Sequence, residues 1–227
     1  MEQLEQIVSI LSITVGVGWA SGINLYATLL TLGILSHTGH MALPQELQIV
    51  ADPLVMMAAA MMYTIEFIAD KIPGVDTGWD VLHTFIRIPA GAMLAAAAVG
   101  EMTPAIQLAA AIAGGGMAMT THVTKAGSRV IINTSPEPFS NWLASIGEDI
   151  AVILGLWTAI QHPWIFLALL LVFLLLAIWL LPKLWATIKA TFRSINKLFR
   201  PRNISPKTAP ALSEYKRLKP GDNEQRE

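Results

Sequence analysis

The 227-residue chain has no cysteine, which excludes disulfides, thiolate metal centres and cysteine nucleophiles. Charge is scarce too: 14% of residues are charged, against roughly a quarter in an ordinary soluble domain. Basic residues are nearly missing from the first 182 positions, where only Lys71, Arg87, Lys125 and Arg129 occur, while eleven of the fifteen Lys and Arg lie from Lys183 onward. Nothing before Ile7 supplies the positive region of a cleaved signal peptide, so the first apolar segment is expected to be retained. No Ser, His and acid arrangement and no nucleophile elbow stands out, so no enzyme is predicted. The separations of His37, His40 and His162 specify no zinc site. The carboxylates Asp70, Asp76 and Asp80 match no calcium loop and are better explained by helix capping and solvation. No metal, cofactor or nucleic-acid partner is expected.

What the chain does have is apolar length. It is 54% hydrophobic, and a bilayer crossing needs about 20 apolar residues. Such runs occur at 7–36, 53–72, 81–100, 105–126, 139–160 and 164–181. They are separated by helix breakers: Gly39 with Pro44, Pro73-Gly74, Thr103-Pro104, Pro136-Glu137-Pro138 and His162-Pro163. The expectation is an all-α, polytopic membrane bundle of about six helices over residues 1–182. A basic amphipathic interfacial helix follows at 183–200, where Leu184, Ile188, Phe192, Ile195 and Phe199 recur at three or four residues. The Pro-rich, charged tail 201–227 cannot bury a core and is expected to be disordered. The basic helix suits anionic lipid.

With six spans and the N-terminus inside, the outer loops contain no Lys or Arg, and all fifteen basic residues fall at or near the inner face. Both termini are therefore expected in the cytoplasm. The first segment is long for one span and contains Gly16, Gly18, Trp19, Ala20, Ser21, Gly22 and Asn24. It reads as a tight packing face or as a bent, unwound binding segment. Gly114-Gly115-Gly116 with Thr120, Thr121 and His122 reads the same way and is no phosphate loop, lacking its strand and its Lys-Ser/Thr ending. Aligning Gly18-Trp19-Ala20 and Asn24 with Gly116-Met117-Ala118 and His122 suggests an inverted internal repeat. The small-residue faces also permit a homodimer.

Ionisable groups in hydrocarbon are unfavourable by about 2.5 to 3.5 kcal/mol each, so they need partners or water. Glu66 and Asp70 are one helical turn apart, as are His83 and Arg87, and Glu66 and Arg87 lie at matching depth in adjacent helices. A structural ion pair between them is predicted. His122, Lys125 and Arg129 descend at helical spacing opposite Glu148 and Asp149. Glu148 falls near the midplane, and two adjacent acids there invite a proton, a cation or a water-filled cavity.

The segments Gly18-Trp19-Ala20-Ser21-Gly22-Ile23-Asn24, Phe67-Ile68-Ala69-Asp70-Lys71-Ile72-Pro73-Gly74-Val75-Asp76, His83-Thr84-Phe85-Ile86-Arg87 and Asn133-Thr134-Ser135-Pro136-Glu137-Pro138-Phe139-Ser140-Asn141-Trp142 carry a resemblance. Over about residues 16–182 the chain resembles an uncharacterised bacterial integral-membrane family catalogued as a domain of unknown function. The resemblance implies membrane location and bacterial origin, hence the inner membrane, and implies no mechanism.

The residues themselves suggest a small transporter or channel-like protein for a small solute or ion. Candidate transport or binding residues are Glu148, Asp149, His122, Lys125, Arg129 and Asn24, with Asp70, Asp76, Asp80 and His83 as other inner-face polar groups. The alternative is a non-transporting protein that binds anionic lipid or a protein through its basic tail. A lipid-phosphate flippase or enzyme, using His83, Arg87, His122, Lys125 and Arg129 as a basic pocket, is a third reading.

Overall fold

The structure, a computed structural model, describes residues 1–72, 74–133 and 138–199. The tail 201–227 and the centre of the Thr134-to-Trp142 phrase lie outside the described residues. The chain divides into two units, Met1–Lys189 and Ala190–Glu227. The second is described only to residue 199, where it is helical.

The described residues form helices and no strand. In order they are α1 (Glu2–Ile23), α2 (Leu25–His37), a 3₁₀ helix Gln45–Ala51, α3 (Pro53–Ala69), α4 (Val75–Ala98), α5 (Pro104–Ile132), α6 (Pro138–Gln161) and α7 (Pro163–Phe199). Prolines open α3 and α5 at their first turns, where the missing N–H leaves no bond unmade. Pro182 sits inside α7, so the helix runs through the position expected to separate the last span from an interfacial helix. Ile188, Phe192, Ile195 and Phe199 have side chains outside the described set, so of the amphipathic pattern of 183–200 only Leu184 has a packing partner to name, Gly127.

Four helices are long and apolar enough to cross a membrane: α1, α4, α6 and α7. A fifth candidate is the 3₁₀ helix with α3, bent by 61°. Four or five helices thus meet the criterion, against the expected count of about six. α5 has the length, at 29 residues, but Gly114, Gly115, Gly116 and its cationic end dilute its apolarity. The first segment breaks in two.

That break is at Asn24. Its backbone is extended (φ −150°, ψ 104°), and its N–H closes α1 on Ala20 O at 2.9 Å. Its Oδ1 accepts from Ala27 N at 2.9 Å and so caps α2. One residue ends one helix and starts the next.

Neighbours fix the direction of each half. A Cβ on Gly18 would lie 2.6 Å from Gly114 O, Gly22 abuts Ala118, and Ile23 O meets Lys125 Nζ at 3.0 Å, so α1 runs parallel to α5. Ser12 Oγ donates to Ala159 O at 2.9 Å, Gly155 meets the Trp19 ring, and Asn24 meets Asp149, so α1 runs antiparallel to α6 and stops halfway along it. From there α2 turns back. Tyr26 meets His83, a Cβ on Gly33 would lie 2.6 Å from Val50 O, and the His40 and Trp157 rings are 5.7 Å apart. The first segment is therefore a helical hairpin that enters and leaves at one end of the bundle, the end formed by the α4–α5 and α6–α7 connections. Ile7 shares a cleft there with Val99, Met102 and Ile106.

This corrects two expectations. Residues 7–36 do not make one crossing, because the backbone at Asn24 leaves the helix. The start of α1 lies at the end opposite Leu184, which packs on Gly127, so the first helix and the last described turns of Met1–Lys189 do not share a face. The parallel course of α1 and α5 also removes the inverted repeat, which would set corresponding helices antiparallel. The packing reading of the small residues applies at Gly18, Gly22, Gly91 and Gly114, each against a neighbouring helix, whereas Gly116 has no neighbour within 4 Å. With no large side chains between them, α1, α4 and α5 approach to backbone contact.

Candidate functional site

Below the hairpin tip, α3, α4, α5 and α6 place their charged side chains on facing stripes. Glu66 and Asp70, one turn apart on α3 and at its C-cap, face Arg87 of α4 and Lys125 and Arg129 of α5. Arg87 contacts Glu66 directly through Nη2, and its Nη1 lies 3.1 Å from Asp80 Oδ1. Arg129 takes Glu148 in a forked contact, Nη2–Oε2 at 2.7 Å and Nε–Oε1 at 3.3 Å. Its Nη1 donates to the carbonyls of Asp70 and Asn141 at 3.1 and 3.2 Å. Two planar guanidiniums thus tie four helices together, and the forked Arg129–Glu148 contact is one that a lysine could not supply.

Lys125 stands at the centre. Its Nζ lies 3.1 Å from Asp70, 3.3 Å from Glu148, 3.5 Å from Glu66 and 3.9 Å from Asp80. It also donates to Ile23 O at 3.0 Å, placing a cation on the C-terminal carbonyls of α1, where the helix dipole is negative. Glu66, Arg87 and Arg129 have fully buried side chains, and Lys125, Asp70 and Asp80 nearly so. Such pairs roughly balance their own desolvation but become strongly unfavourable when one partner is removed. When all are ionised, the carboxylates Glu66, Asp70, Asp80 and Glu148 outnumber Arg87, Lys125 and Arg129 by one. Glu66 Oε2, Asp70 Oδ1 and Asp80 Oδ2 are buried without a hydrogen-bond partner.

His122 is enclosed by this network. Arg87 Nη1 lies 3.1 Å from its Nδ1 and can only donate, so Nδ1 accepts. The ring proton then sits on Nε2, 2.7 Å from Thr84 Oγ1, whose own hydroxyl donates to Asp80 O at 3.0 Å. This tautomer follows from the partners. His83 is elsewhere, held between Trp79 O at 2.9 Å and Tyr26 OH at 3.1 Å and stacked on the Trp79 ring at 4.4 Å. Asp76 is apart as well. It accepts from Asn133 Nδ2 at 2.9 Å and from the N–H groups of Gly74 and Thr77, the capping role expected of that loop.

Glu148, the acid read as lying near the midplane opposite the basic stripe of α5, meets both Arg129 and Lys125 and keeps 19% exposure. Its neighbour lacks such cations. Asp149 is 8% exposed, and its partners are neutral: Asn24 Nδ2 at 3.1 Å and Tyr63 OH at 3.0 Å. Among the described residues it has no ion pair. Asn24 thus joins the two half-helices to a buried carboxylate that, among the described residues, no cation neutralises.

Sequence reasoning missed Tyr63, Tyr26, Thr84 and Asn141. Tyr63 was findable, since Tyr63, Glu66 and Asp70 fall at i, i+3 and i+7 on one face. Tyr26 carried no such signal, because it depends on the chain turning back at Asn24. Among the described residues no three His, Asp or Glu side chains converge as a metal-binding group.

No curated protein and no solved structure matches the chain. A family model does: the domain of unknown function DUF4126 matches residues 11–183. That match begins within α1 and ends within α7, and so takes in the hairpin, its Asn24 tip and every member of the ion-pair network. The chain is accordingly a multi-helix membrane protein and a member of the DUF4126 family.

Proposed function

We propose that the protein is a small transporter or channel-like protein of the bacterial inner membrane, moving a small solute or ion past the tip of the α1–α2 hairpin. The observation that carries this reading is Asp149 at that tip, a buried carboxylate whose partners among the described residues are the neutral Asn24 and Tyr63. A broken helix whose ends meet a polar group at half depth is the arrangement by which transporters present backbone and side-chain dipoles to a substrate. An intramembrane carboxylate without a counter-ion is a functional group before it is a structural one.

Orientation follows from the positive-inside rule. Lys71 and Lys183 belong to the end away from the hairpin mouth, so that end faces the cytoplasm. The hairpin mouth, with the start of α1, then faces the opposite side. The phosphate-binding readings are disfavoured, because Arg87, Lys125 and Arg129 each already meet at least two carboxylates and His83 lies outside their cluster.

The experiment is solute and proton flux in proteoliposomes. Asp149→Asn keeps both hydrogen-bonding positions in shape while removing the charge, and it is expected to reduce flux at least 10-fold. Flux equal to wild type in that variant would remove Asp149 from the path.

A further inference from the structure

A cleft of about 240 Å³ opens beside the network between α4, α5 and α7. It is bounded by Thr77, Asp80 and Thr84 on α4, His122 and Ala126 on α5, and Trp185 on α7. Its remaining walls are aliphatic, which matches the general make-up of small-molecule sites: apolar lining with few polar groups. We propose that this cleft binds a small primary ammonium compound with an apolar body. The Asp80 carboxylate would accept from the ammonium and Trp185 would cover it.

Asp80 is 1% exposed, and its Oδ1 faces Arg87 and Lys125, while Oδ2 has no hydrogen-bond partner. A buried acceptor left unmade is unfavourable by about 1 to 3 kcal/mol, more for a charged group, and a ligand N–H relieves it. The charge balance selects the sign of that ligand. The network holds one more carboxylate than cation, and His122, whose Nδ1 accepts from Arg87, adds no positive charge. An anion would find no unneutralised cation there. Trp185 is 59% exposed, and Lys189 Nζ already lies 5.1 Å from its ring centroid, so this indole face takes an ammonium from within the chain. Cation–π attraction is strongest at tryptophan. A primary ammonium, with three donors, fits an oxygen acceptor better than a quaternary one. The volume limits the body to about the size of one aromatic ring.

The inference goes beyond the transport reading, since Asn24, Tyr63 and Asp149 do not line this cleft, and it rests on that reading only for flux. Binding is measured first, by calorimetry on the full chain in phosphatidylcholine nanodiscs. The probes are phenethylammonium, its neutral analogue 2-phenylethanol, and benzyltrimethylammonium. Phenethylammonium is expected to bind at least 10-fold more tightly than either of the others. Asp80→Asn should bring it to the level of the alcohol, and Trp185→Leu should weaken it about 2- to 5-fold. Because Asp80→Asn also takes a partner from Arg87, Ala126→Phe is the second variant. It fills the cleft without touching an ion pair and should abolish binding.

Discs containing phosphatidylethanolamine separate two sources of the same chemistry. Competition by that lipid assigns the site to a headgroup, and its absence assigns it to a free amine. Equal binding of amine and alcohol, or unchanged binding in Ala126→Phe, overturns the proposal. Binding without phenethylammonium flux leaves the site intact and counts against transport. Flux of another solute without amine binding does the reverse.

Discussion

The Lys125 network and the Asn24 tip adjoin one another, Glu148 beside Asp149 and Ile23 beside Asn24, yet they satisfy buried carboxylates by opposite means. Around Lys125, each carboxylate meets two cations, and four helices are tied at one depth. At the tip, Asp149 is held by an amide and a phenol. The first arrangement is rigid, and removing any one of its charges leaves buried partners unpaired. The second can exchange partners, since a hydroxyl can reverse its hydrogen bond and an ammonium or guanidinium cannot. A stable scaffold and an adaptable site thus stand one residue apart along α6.

The sharpest way to break this contrast is at Lys125. Lys125→Met leaves four acidic side chains without their shared ammonium and should destabilise the fold by about 3 to 5 kcal/mol, measured by denaturant titration in detergent micelles. A loss under about 1 kcal/mol would mean that the network is not what ties the helices together.

Glu66 and Arg87 come next. Either Glu66→Leu or Arg87→Leu should be unfavourable by about 3 to 5 kcal/mol, and the double variant by clearly less than the sum. The double variant should still fall short of wild type, because Asp80 also loses Arg87. Strict additivity would remove the pair from the account.

Charge pairing across neighbouring helices was legible because depth can be counted along a helix at about 1.5 Å per residue. Glu66 and Arg87 sit at matched depths on either side of the Pro73-Gly74 turn, and each is the other's nearest counter-ion. Rotation about the helix was less legible. Glu148 and Asp149 are about 100° apart, and only the positions of α1 and α5 decide which acid meets Lys125 and Arg129 and which meets Asn24. The hairpin was hidden for a related reason. A continuous apolar run from residue 7 to 36 scores as one span by length, and Asn24 flags a break without fixing the direction of the chain after it. The parallel packing of Gly18 on Gly114 settles that direction, and no local pattern encodes it.

Smaller effects are expected on the tip side of the comparison. Asn24→Ala removes the α2 cap and one Asp149 donor, and should destabilise by about 0.5 to 2 kcal/mol while lowering flux more than stability. Asp149→Asn should change stability by no more than about 1.5 kcal/mol, the range of a single neutral hydrogen bond, although its flux falls at least 10-fold. Thermal unfolding of the same preparations used for flux checks both. Asp149→Asn as destabilising as Lys125→Met would erase the distinction between scaffold and site.

The account depends most on the first segment returning to the end at which it enters, and the absence of cysteine makes that directly measurable. Single cysteines at Gln3, His40, Glu101 and Lys183, all exposed positions, are labelled in intact spheroplasts with a membrane-impermeant maleimide. The hairpin predicts that Gln3→Cys, His40→Cys and Glu101→Cys label together from outside, and that Lys183→Cys labels only after the membrane is opened. Labelling of Gln3→Cys together with Lys183→Cys, and apart from His40→Cys, would contradict it and restore a single crossing by residues 7–36.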